Sequence, residues 1–210
     1  LRVGVSPDRR FAFGMLVWTS TGFDADARPY ERPGRTTAVF ARDGVGDAWR
    51  AIHTHAPLFR GAPQKPHGRR PEAPTPATPV AAAASEIPFP WDRPEADKAS
   101  IAAWFEGWDD HVAAVDYAQA RPYFDAGVLS FGTWLDIIEG RETFEANQWR
   151  KVWPTSADFK HRLETLKVAV SPDRLLAAGM LIWTSTGFAA DGTPFERPGR
   201  TTACLARDGL

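Results

Sequence analysis

Cysteine is nearly absent: Cys204 stands alone in 210 residues, so neither an internal disulfide nor a cysteine-based zinc site can form. The apolar runs fall far short of the ~20 residues that span a bilayer, so we expect no transmembrane helix and no membrane partner. A formal net charge of -1 argues against a dedicated nucleic-acid-binding protein. The chain also lacks phosphate-binding loops, dinucleotide fingerprints, kinase signatures and the G-x-S-x-G motif, and we expect no cofactor.

The residues that are present indicate a globular protein. Hydrophobic residues make up 43% of the chain, and its nine Trp and thirteen Phe side chains require a packed interior. A chain of this length allows one large domain or two small ones. This composition predicts a soluble protein, and the cytoplasm is the favoured compartment.

An internal repeat organises the chain. Residues Leu1–Val45 align with Leu166–Leu210 at a constant offset of 165 and without gaps, and 32 of the 45 aligned positions are identical. A solenoid repeat is roughly 20 to 50 residues long and recurs at least three times. The spacing in this chain instead indicates a duplicated domain together with its linker.

Each copy contains a part that the other lacks. The first copy continues through Gly46–Gly61, and the second is preceded by about 75 residues without a counterpart before the first. We therefore interpret 1–60 as the C-terminal half of one domain, consisting of strands only, 61–87 as a Pro- and Ala-rich linker, and 88–210 as a second domain without its last strand. A truncated gene fragment, which would also explain Leu1, is the favoured origin, and circular permutation is the alternative.

Helical patterns dominate the front of the second domain. Ala96–Val115 places apolar side chains three, four and seven residues apart, as on one buried helix face. Asp116 is predicted to cap a second, short helix. A strand over Val128–Ile138 and a third helix over Glu142–Trp153 are predicted to follow.

The remainder is predicted to form antiparallel strands. In Phe159–Val170 the apolar side chains change parity, which we interpret as a β-bulge that bends one strand. Long strands are predicted over Leu175–Thr186 and Gly199–Arg207, and the first copy repeats them and adds Ala48–His55. Helices followed by such strands indicate an α+β fold with helices on one face of a bent sheet.

Several segments are recognisable as a set. The long helix with Trp104 and Trp108 is accompanied by FGTWLDIIEGRETF (Phe131–Phe144), GMLIWTSTGF (Gly179–Phe188), GRTTA (Gly199–Ala203) and WRAIHTH (Trp49–His55). Together they resemble the nuclear transport factor 2-like superfamily, in its SnoaL-like or ketosteroid isomerase-like branch. The resemblance implies a cone-shaped curved sheet wrapped around N-terminal helices, an apolar pocket, and pairing of two chains as a dimer. That superfamily includes enzymes as well as non-catalytic binding and oligomerising domains, so the fold does not define the function.

One departure from the family pattern concerns the closing strand. The second copy lacks it, which would leave an exposed sheet edge. We hypothesise that Ala48–His55 pairs with Gly199–Arg207, within the chain or from another chain. Pairing of Ala48–His55 with Thr36–Arg42 alone would contradict this hypothesis. The expected partners are accordingly a small apolar ligand and either a homodimer or a strand exchanged between chains.

The candidate catalytic groups are Asp136 and His55. A carboxylate in apolar surroundings, such as Asp136 beside Trp134, has a raised pKa and could act as an acid or a base. The WRAIHTH segment resembles the closing strand of the family, in which a His commonly faces the cavity. Alternation places His53 and His55 on one face of this strand with Trp49 and Ala51. Metal binding would need a third ligand that the sequence does not place. We expect no metal site.

Aromatic side chains are the candidates for ligand contact. Together with His161, which has the apolar parity of its strand, they could line a pocket for a flat apolar molecule. Asp109 and Asp110 are expected on the solvated face of the first helix. The predicted ligand-binding residues, each with core packing as its alternative role, are Trp104, Trp134, Trp149, Trp153, His161, Met180, Trp183 and His55.

We expect the chain to bind a small apolar molecule in the pocket of the cone. One alternative is an isomerase, dehydratase or hydrolase that uses a buried Asp or His as its acid–base group. Another is a non-catalytic oligomerisation or interaction module. A titratable group within ~3 Å of the substrate in an open cavity would favour the enzyme.

Overall fold

A computed structural model describes residues 1–59, 88–132 and 137–208 of the chain, and the predicted linker lies outside these residues. The chain divides into two compact units. The first comprises Leu1–Val5 and Ala12–Phe89, and the second comprises Ser6–Phe11 and Pro90–Leu210. The fold is α+β with mostly antiparallel sheets, as the order of helices and strands in the sequence predicts.

The first unit contains a four-stranded sheet whose strands lie side by side in chain order. Its strands are β1 (Arg2–Val5), β2 (Phe11–Phe23), β3 (Pro29–Ala41) and β4 (Arg50–His55). β4 pairs with β3, so that Thr37 lies opposite His55 and Ala41 lies opposite Arg50. The hypothesis that Ala48–His55 pairs with Gly199–Arg207 is therefore wrong: among the described strands, the partner of β4 is β3 of its own copy.

The pairing of β4 contains an irregularity that simple alternation does not predict. Val39 lies opposite His53, whereas the next residue, Phe40, lies opposite Ala51, so β4 has one extra residue at this point. Neighbouring residues of β3 face opposite sides of the sheet, and their partners do the same. The prediction that Ala51 shares a face with His53 and His55 is therefore wrong.

The second unit repeats the first three strands. β8 (Lys167–Val170), β9 (Leu176–Phe188) and β10 (Pro194–Ala206) each lie 165 residues after β1, β2 and β3 and have the same lengths. β9 is the central strand, with β10 along one edge and both β7 (Ser156–His161) and β8 along the other. The repeat in the sequence is thus also a repeat in the structure.

The change of parity that indicated a β-bulge in Phe159–Val170 has a different cause. A 3-10 turn over Leu163–Thr165 separates β7 from β8, so this segment is two strands rather than one bent strand. Both strands pair with successive parts of β9. A register shift does occur, but it lies earlier, between Ala157 and Lys160.

The helices of the second unit follow the predicted order. Helix α1 (Glu95–Ala114) lies within one residue of the predicted span. The carboxylate of Asp116 accepts a hydrogen bond from the N–H of Gln119 at 3.1 Å and caps α2 (Tyr117–Ala120), as predicted. A 3-10 turn (Arg121–Tyr123) follows, and the third helical segment consists of α3 (Arg141–Phe144), a π-helix (Glu145–Trp149), α4 (Arg150–Val152) and a 3-10 turn (Trp153–Thr155).

The predicted single strand over Val128–Ile138 is wrong. This segment contributes to two short strands, β5 (Leu129–Phe131) and β6 (Ile137–Glu139), that pair with each other. Phe131 lies opposite Ile137, so the chain reverses its direction between them. The β-branched and aromatic residues that suggested a strand fit both arrangements equally well, because β-propensity does not report where a strand turns.

Two hydrophobic clusters form the core of the second unit. In the first, Ile101 and Phe105 of α1 pack against residues of β8 and β9 that include Val168 and Leu181. The second cluster gathers residues of α1, α2, β6 and the third helical segment, and Trp108 packs against both clusters. The buried stripe predicted for α1 therefore joins the sheet to the remaining helices.

Candidate functional site

A buried Asp–His pair connects α1 to the sheet of the second unit. Asp109 lies on the buried face of α1, and His161 is the last residue of β7. Asp109 Oδ1 is 2.6 Å from His161 Nδ1, and Asp109 Oδ2 accepts the backbone N–H of His161 at 2.8 Å. Both residues are buried, and the side chain of His161 is 0% exposed. One hydrogen bond therefore holds the imidazole of His161, and the second holds the backbone of the same residue against Asp109.

This contact also determines which imidazole nitrogen carries the proton. A carboxylate can only accept hydrogen bonds, so the Nδ1–H of His161 donates to Asp109. In the neutral imidazole, Nε2 is then an acceptor. Nε2 is buried and has no hydrogen-bond partner among the described residues. Leaving a buried polar atom unpaired costs about 1–3 kcal/mol, so a ligand group that pairs with Nε2 would be stabilised by a similar amount.

Aromatic rings surround the imidazole. The ring centroids of Phe105, Trp108 and Phe159 lie 4.9, 5.2 and 5.0 Å from that of His161. The indole Nε1 of Trp108 is a second buried polar atom without a partner in the part of the chain that the structure describes. The aromatic surroundings of His161 therefore contain two unpaired polar atoms, Nε2 of the imidazole and Nε1 of Trp108.

Five of the eight predicted ligand-binding residues belong to one network of ring contacts in the second unit. Neighbouring centroids along this network are 5.0 to 5.6 Å apart, within the range of favourable aromatic pairs. Their roles in ligand binding stay predictions. The five are Trp104, Trp149, Trp153, His161 and Trp183, and they are joined through Trp108, Phe124 and Phe159.

The other three predicted residues do not join this network in the described residues. Met180 is buried, but it lies on β9 next to Gly179, where an added Cβ would be 2.8 Å from Phe105 of α1. Neighbouring residues of a strand face opposite sides, so Met180 faces away from α1. His55 belongs to β4 in the first unit. Outside the described residues lie Trp134 and the catalytic candidate Asp136.

The first unit offers different chemistry. Burial lowers the pKa of His53, because desolvation disfavours the charged imidazolium. Within 1–59, 88–132 and 137–208, no group of three or more His, Cys, Asp or Glu side chains is placed to hold a metal ion. An open depression of about 490 Å³ lies on β2 and β3, and its lining contains none of the predicted site residues: Thr19, Ser20, Thr21, Pro29, Tyr30 and Glu31.

The burial of Asp109 contradicts its expected place on the solvated face of α1. Asp97, Ile101, Phe105 and Asp109 recur every four residues, and all four are buried. Residues four apart lie on the same helix face. The four-residue spacing places Asp97 and Asp109 in line with the apolar residues between them. This spacing was therefore the signal in the sequence that could have predicted the burial of both carboxylates.

Asp97 is a buried carboxylate of a different kind, because its hydrogen bonds are satisfied. Arg174 donates to it through Nε and Nη2, both at 2.9 Å, and Arg207 donates through Nη2 at 2.9 Å. Arg174 in the first place, with a further contribution from Arg207, holds the pKa of Asp97 below its ordinary value against the opposing effect of burial. This cluster joins the start of α1 to the end of β10, and it has no unpaired carboxylate oxygen to offer a ligand.

Comparisons with known proteins do not assign this site. Among the described residues, no helix is long and apolar enough to cross a membrane. The resemblance to SnoaL-like domains stays a prediction that rests on the segments quoted above. A scan against models of protein families finds no match to this chain, and a search of curated proteins finds no similar sequence.

Proposed function

We propose that the second unit is a SnoaL-like domain that binds a small, largely apolar molecule inside a cone of sheet and helices, with His161 as its polar anchor. The observation that supports this proposal is the buried Nε2 of His161, which has no partner in the described part of the chain. A ligand hydroxyl would donate to Nε2, and an oxygen of the ligand would accept from the Nε1–H of Trp108. The apolar body of the ligand would pack against the surrounding rings.

The rings and the polar atoms would contribute differently to binding. Burial of apolar surface contributes roughly 25 cal/mol per Å² to affinity without distinguishing closely related ligands. The unpaired polar atoms provide discrimination, because a ligand without a hydroxyl leaves them unpaired at a cost of about 1–3 kcal/mol. We therefore expect the affinity for a hydroxylated ligand to be at least about tenfold higher than that for the deoxy compound of the same shape.

The test is a panel of steroid-like and polyketide-like compounds, each paired with its deoxy analogue. Binding would be followed by thermal shift and by tryptophan fluorescence. Trp108→Phe removes the indole N–H and keeps an aromatic ring, so it should reduce the preference for the hydroxylated compounds. Trp18→Phe is the matched control, since the Nε1–H of Trp18 already donates to Thr36 in the first unit.

Two outcomes would contradict the proposed binding function. In one, no compound of the panel stabilises the protein. In the other, Trp108→Phe and Trp18→Phe leave the preference for hydroxylated compounds equally unchanged. Concentration-dependent self-association without any ligand would instead favour the interaction module.

Proton transfer is a second candidate function that the same geometry favours. An imidazole whose Nδ1–H is held by a carboxylate presents Nε2 as a general base, and such groups contribute typically 10²- to 10⁴-fold to a rate. If a bound compound is converted, Asp109→Asn should lower kcat within that range and change KM little, because it retains the shape of the side chain. Tight binding without conversion would support the binding function alone.

A further inference from the structure

We propose that Ser185 is a second polar anchor of the binding site around His161, so that the preferred ligand is a rigid molecule with two separate oxygen groups. The inference rests on the binding function proposed above and specifies the class of ligand. Ser185 is 4% exposed, and its Oγ has no hydrogen-bond partner among the described residues. A hydroxyl both donates and accepts, so it can pair with an alcohol, a phenol or a carbonyl group of a ligand.

Ser185 lies on the face of β9 that is turned towards α1. β9 pairs with β10 residue by residue along its whole length, so alternate residues of β9 share a face. A Cβ added to Gly179 would lie 2.8 Å from the ring of Phe105, whose centroid is 4.9 Å from that of His161. Ser185 follows Gly179 by an even number of residues, and its hydroxyl therefore lies on the same side of the sheet.

Ser185 is also close enough to His161 for one small molecule to reach both. Trp183 lies opposite His161 in the pairing of β7 with β9, and Ser185 is the second residue after Trp183. The ring centroid of Phe159 is 5.0 Å from that of His161 and 5.3 Å from that of Trp183, so these side chains share one apolar region. Each residue of a strand adds about 3.3 Å, so the second oxygen of the ligand should lie roughly 7 Å from the first.

The matching serine of the first copy already has a partner. Both serines stand in the same sequence, WTSTGF. Ser20 is half-buried, and its Oγ donates to the carbonyl of Arg32 at 3.4 Å. In the second copy, Ser185 Oγ forms no such bond within the part of the chain that the structure describes. The surroundings of Ser185, rather than its local sequence, therefore leave its hydroxyl for another partner.

The hydroxyl of Ser185 would select among ligands of the same shape. A ligand with a carbon at this position leaves the buried hydroxyl without a partner, whereas a ligand with an oxygen there pairs with it. The surrounding rings bind both ligands alike, because burial of apolar surface is not directional. We therefore expect the affinity for a ligand with the second oxygen to be about tenfold higher.

The probes are 2-hydroxynaphthalene and 2,6-dihydroxynaphthalene, which share one rigid frame and differ only in the second hydroxyl. Calorimetric titration of the full chain should give a dissociation constant about tenfold lower for the diol, beyond the roughly twofold advantage that its symmetry provides. Ser185→Ala should reduce the advantage to about twofold and leave the affinity for the monohydroxy compound unchanged. Ser20→Ala is the matched control and should leave both affinities unchanged.

The outcomes separate this inference from the proposed binding function. If the monohydroxy compound binds and the diol gains no more than about twofold, the binding function stands and Ser185 is not an anchor. If Ser185→Ala weakens both compounds equally, the serine does not recognise the second oxygen, and the inference is wrong. If neither compound binds, the inference is also wrong, and the larger panel described above decides whether the binding function falls with it.

Stability without ligand provides an independent test. Ser185→Ala removes a buried hydroxyl that has no partner, so it should raise the midpoint of thermal unfolding by about 2–4 °C. Ser20→Ala removes a bonded hydroxyl and should lower the midpoint or leave it unchanged. A lower midpoint for Ser185→Ala would show that this hydroxyl is already paired in the free protein, and would overturn the inference.

Discussion

The two copies of the repeat have the same strands and turns but different neighbours. Their strands match in length, and the turns over Ser6–Arg9 and Ser171–Arg174 have the same internal contacts. Serine Oγ donates to the aspartate at 2.6 Å in the first turn and at 2.5 Å in the second. The arginine that ends each turn has a φ of 59° or 60°. Local geometry therefore follows local sequence, whatever the surroundings.

The copies differ where residues from outside the repeat make contact. The last arginine of the first copy, Arg42, lies over Trp49, whereas its equivalent, Arg207, donates to Asp97. A Cβ added to Gly14 would have its nearest neighbour 3.7 Å away, but at the equivalent Gly179 the nearest atom is 2.8 Å away. The comparison teaches that one sequence can encode the same strands twice while its burial and partners depend on the rest of the chain.

The largest effect on this comparison is expected from Asp97→Ala. The substitution removes the acceptor of both Arg174 and Arg207, and these half-exposed arginines then return to water. We expect the second copy to lose about 3 kcal/mol of stability, because three charge-assisted hydrogen bonds are lost while the released arginines regain hydration. Hydrogen exchange should show faster opening of β8–β10 than of β1–β3. Trp49→Ala, which removes the partner of Arg42, is the matched variant and should affect the first copy more; equal losses in both copies would contradict the distinction.

The second prediction concerns the glycine that faces α1 in only one copy. In Gly179→Ala the added Cβ would clash with the ring of Phe105, which is fully buried. We expect this substitution to lower the free energy of unfolding by about 2 kcal/mol. Gly14→Ala has room and should be neutral or stabilising by about 0.5 kcal/mol, since alanine loses less backbone entropy on folding. Urea unfolding of both variants checks this. If Gly14→Ala is the more harmful change, the proposed role of α1 is wrong.

The third prediction is that the stability of the second copy depends on Asp97 less at acid pH than at neutral pH. The first copy should not show this dependence. Its pKa is lowered below the ordinary 3.8, chiefly by Arg174. A carboxyl whose folded pKa is lowered contributes stability above its unfolded pKa and loses it as the pH falls through the folded value. The difference in unfolding free energy between wild type and Asp97→Asn should be full at pH 7 and shrink below about pH 4. Urea unfolding at a series of pH values measures it, and a difference that stays constant to pH 3 would argue against an ionised Asp97.

The smallest expected effect is a difference in stability between substitutions at two equivalent threonines, Thr36 and Thr201. The Nε1–H of Trp18 donates to Thr36 at 2.9 Å, whereas no such bond joins Trp183 and Thr201 in the described residues. Thr36→Val should cost about 1 kcal/mol, because it leaves the indole N–H without its acceptor. Thr201→Val should change stability by less than about 0.5 kcal/mol. Thermal unfolding of the two variants would reveal the difference, and equal effects would show that the bond to Thr36 contributes nothing.

Sequence patterns of short range predicted most of the elements in this chain. The apolar spacing in α1, the cap at Asp116 and the repeated strands each depend on residues close together, so they could be read without the structure. The reversal within Val128–Ile138 could not, because β-propensity is the same on both sides of a turn. The break between β7 and β8 was visible as a change of parity, but a bulge and a 3-10 turn produce the same change.

The candidate site was predictable only in part. The alternation of apolar side chains in its strand predicted that His161 faces the core, and the structure confirms that it is buried. Its partner Asp109 lies 52 residues away, and no pattern in the sequence relates a residue of α1 to the end of β7. The burial of Asp109 could have been recognised from its four-residue spacing to Phe105. The pairing itself depends on how the helix and the sheet come together.

Two nearly identical hairpins in one chain also raise a question of folding fidelity. β2 could pair with β10 as well as with β3, because the side chains of the two partners hardly differ. The β2–β3 connection closes over residues 24–28, whereas a β2–β10 pairing would close over residues 24–193. The entropy of loop closure favours the shorter connection by about 3 kcal/mol. We therefore expect the five-residue loop, rather than side-chain complementarity, to direct each strand to its own partner during folding.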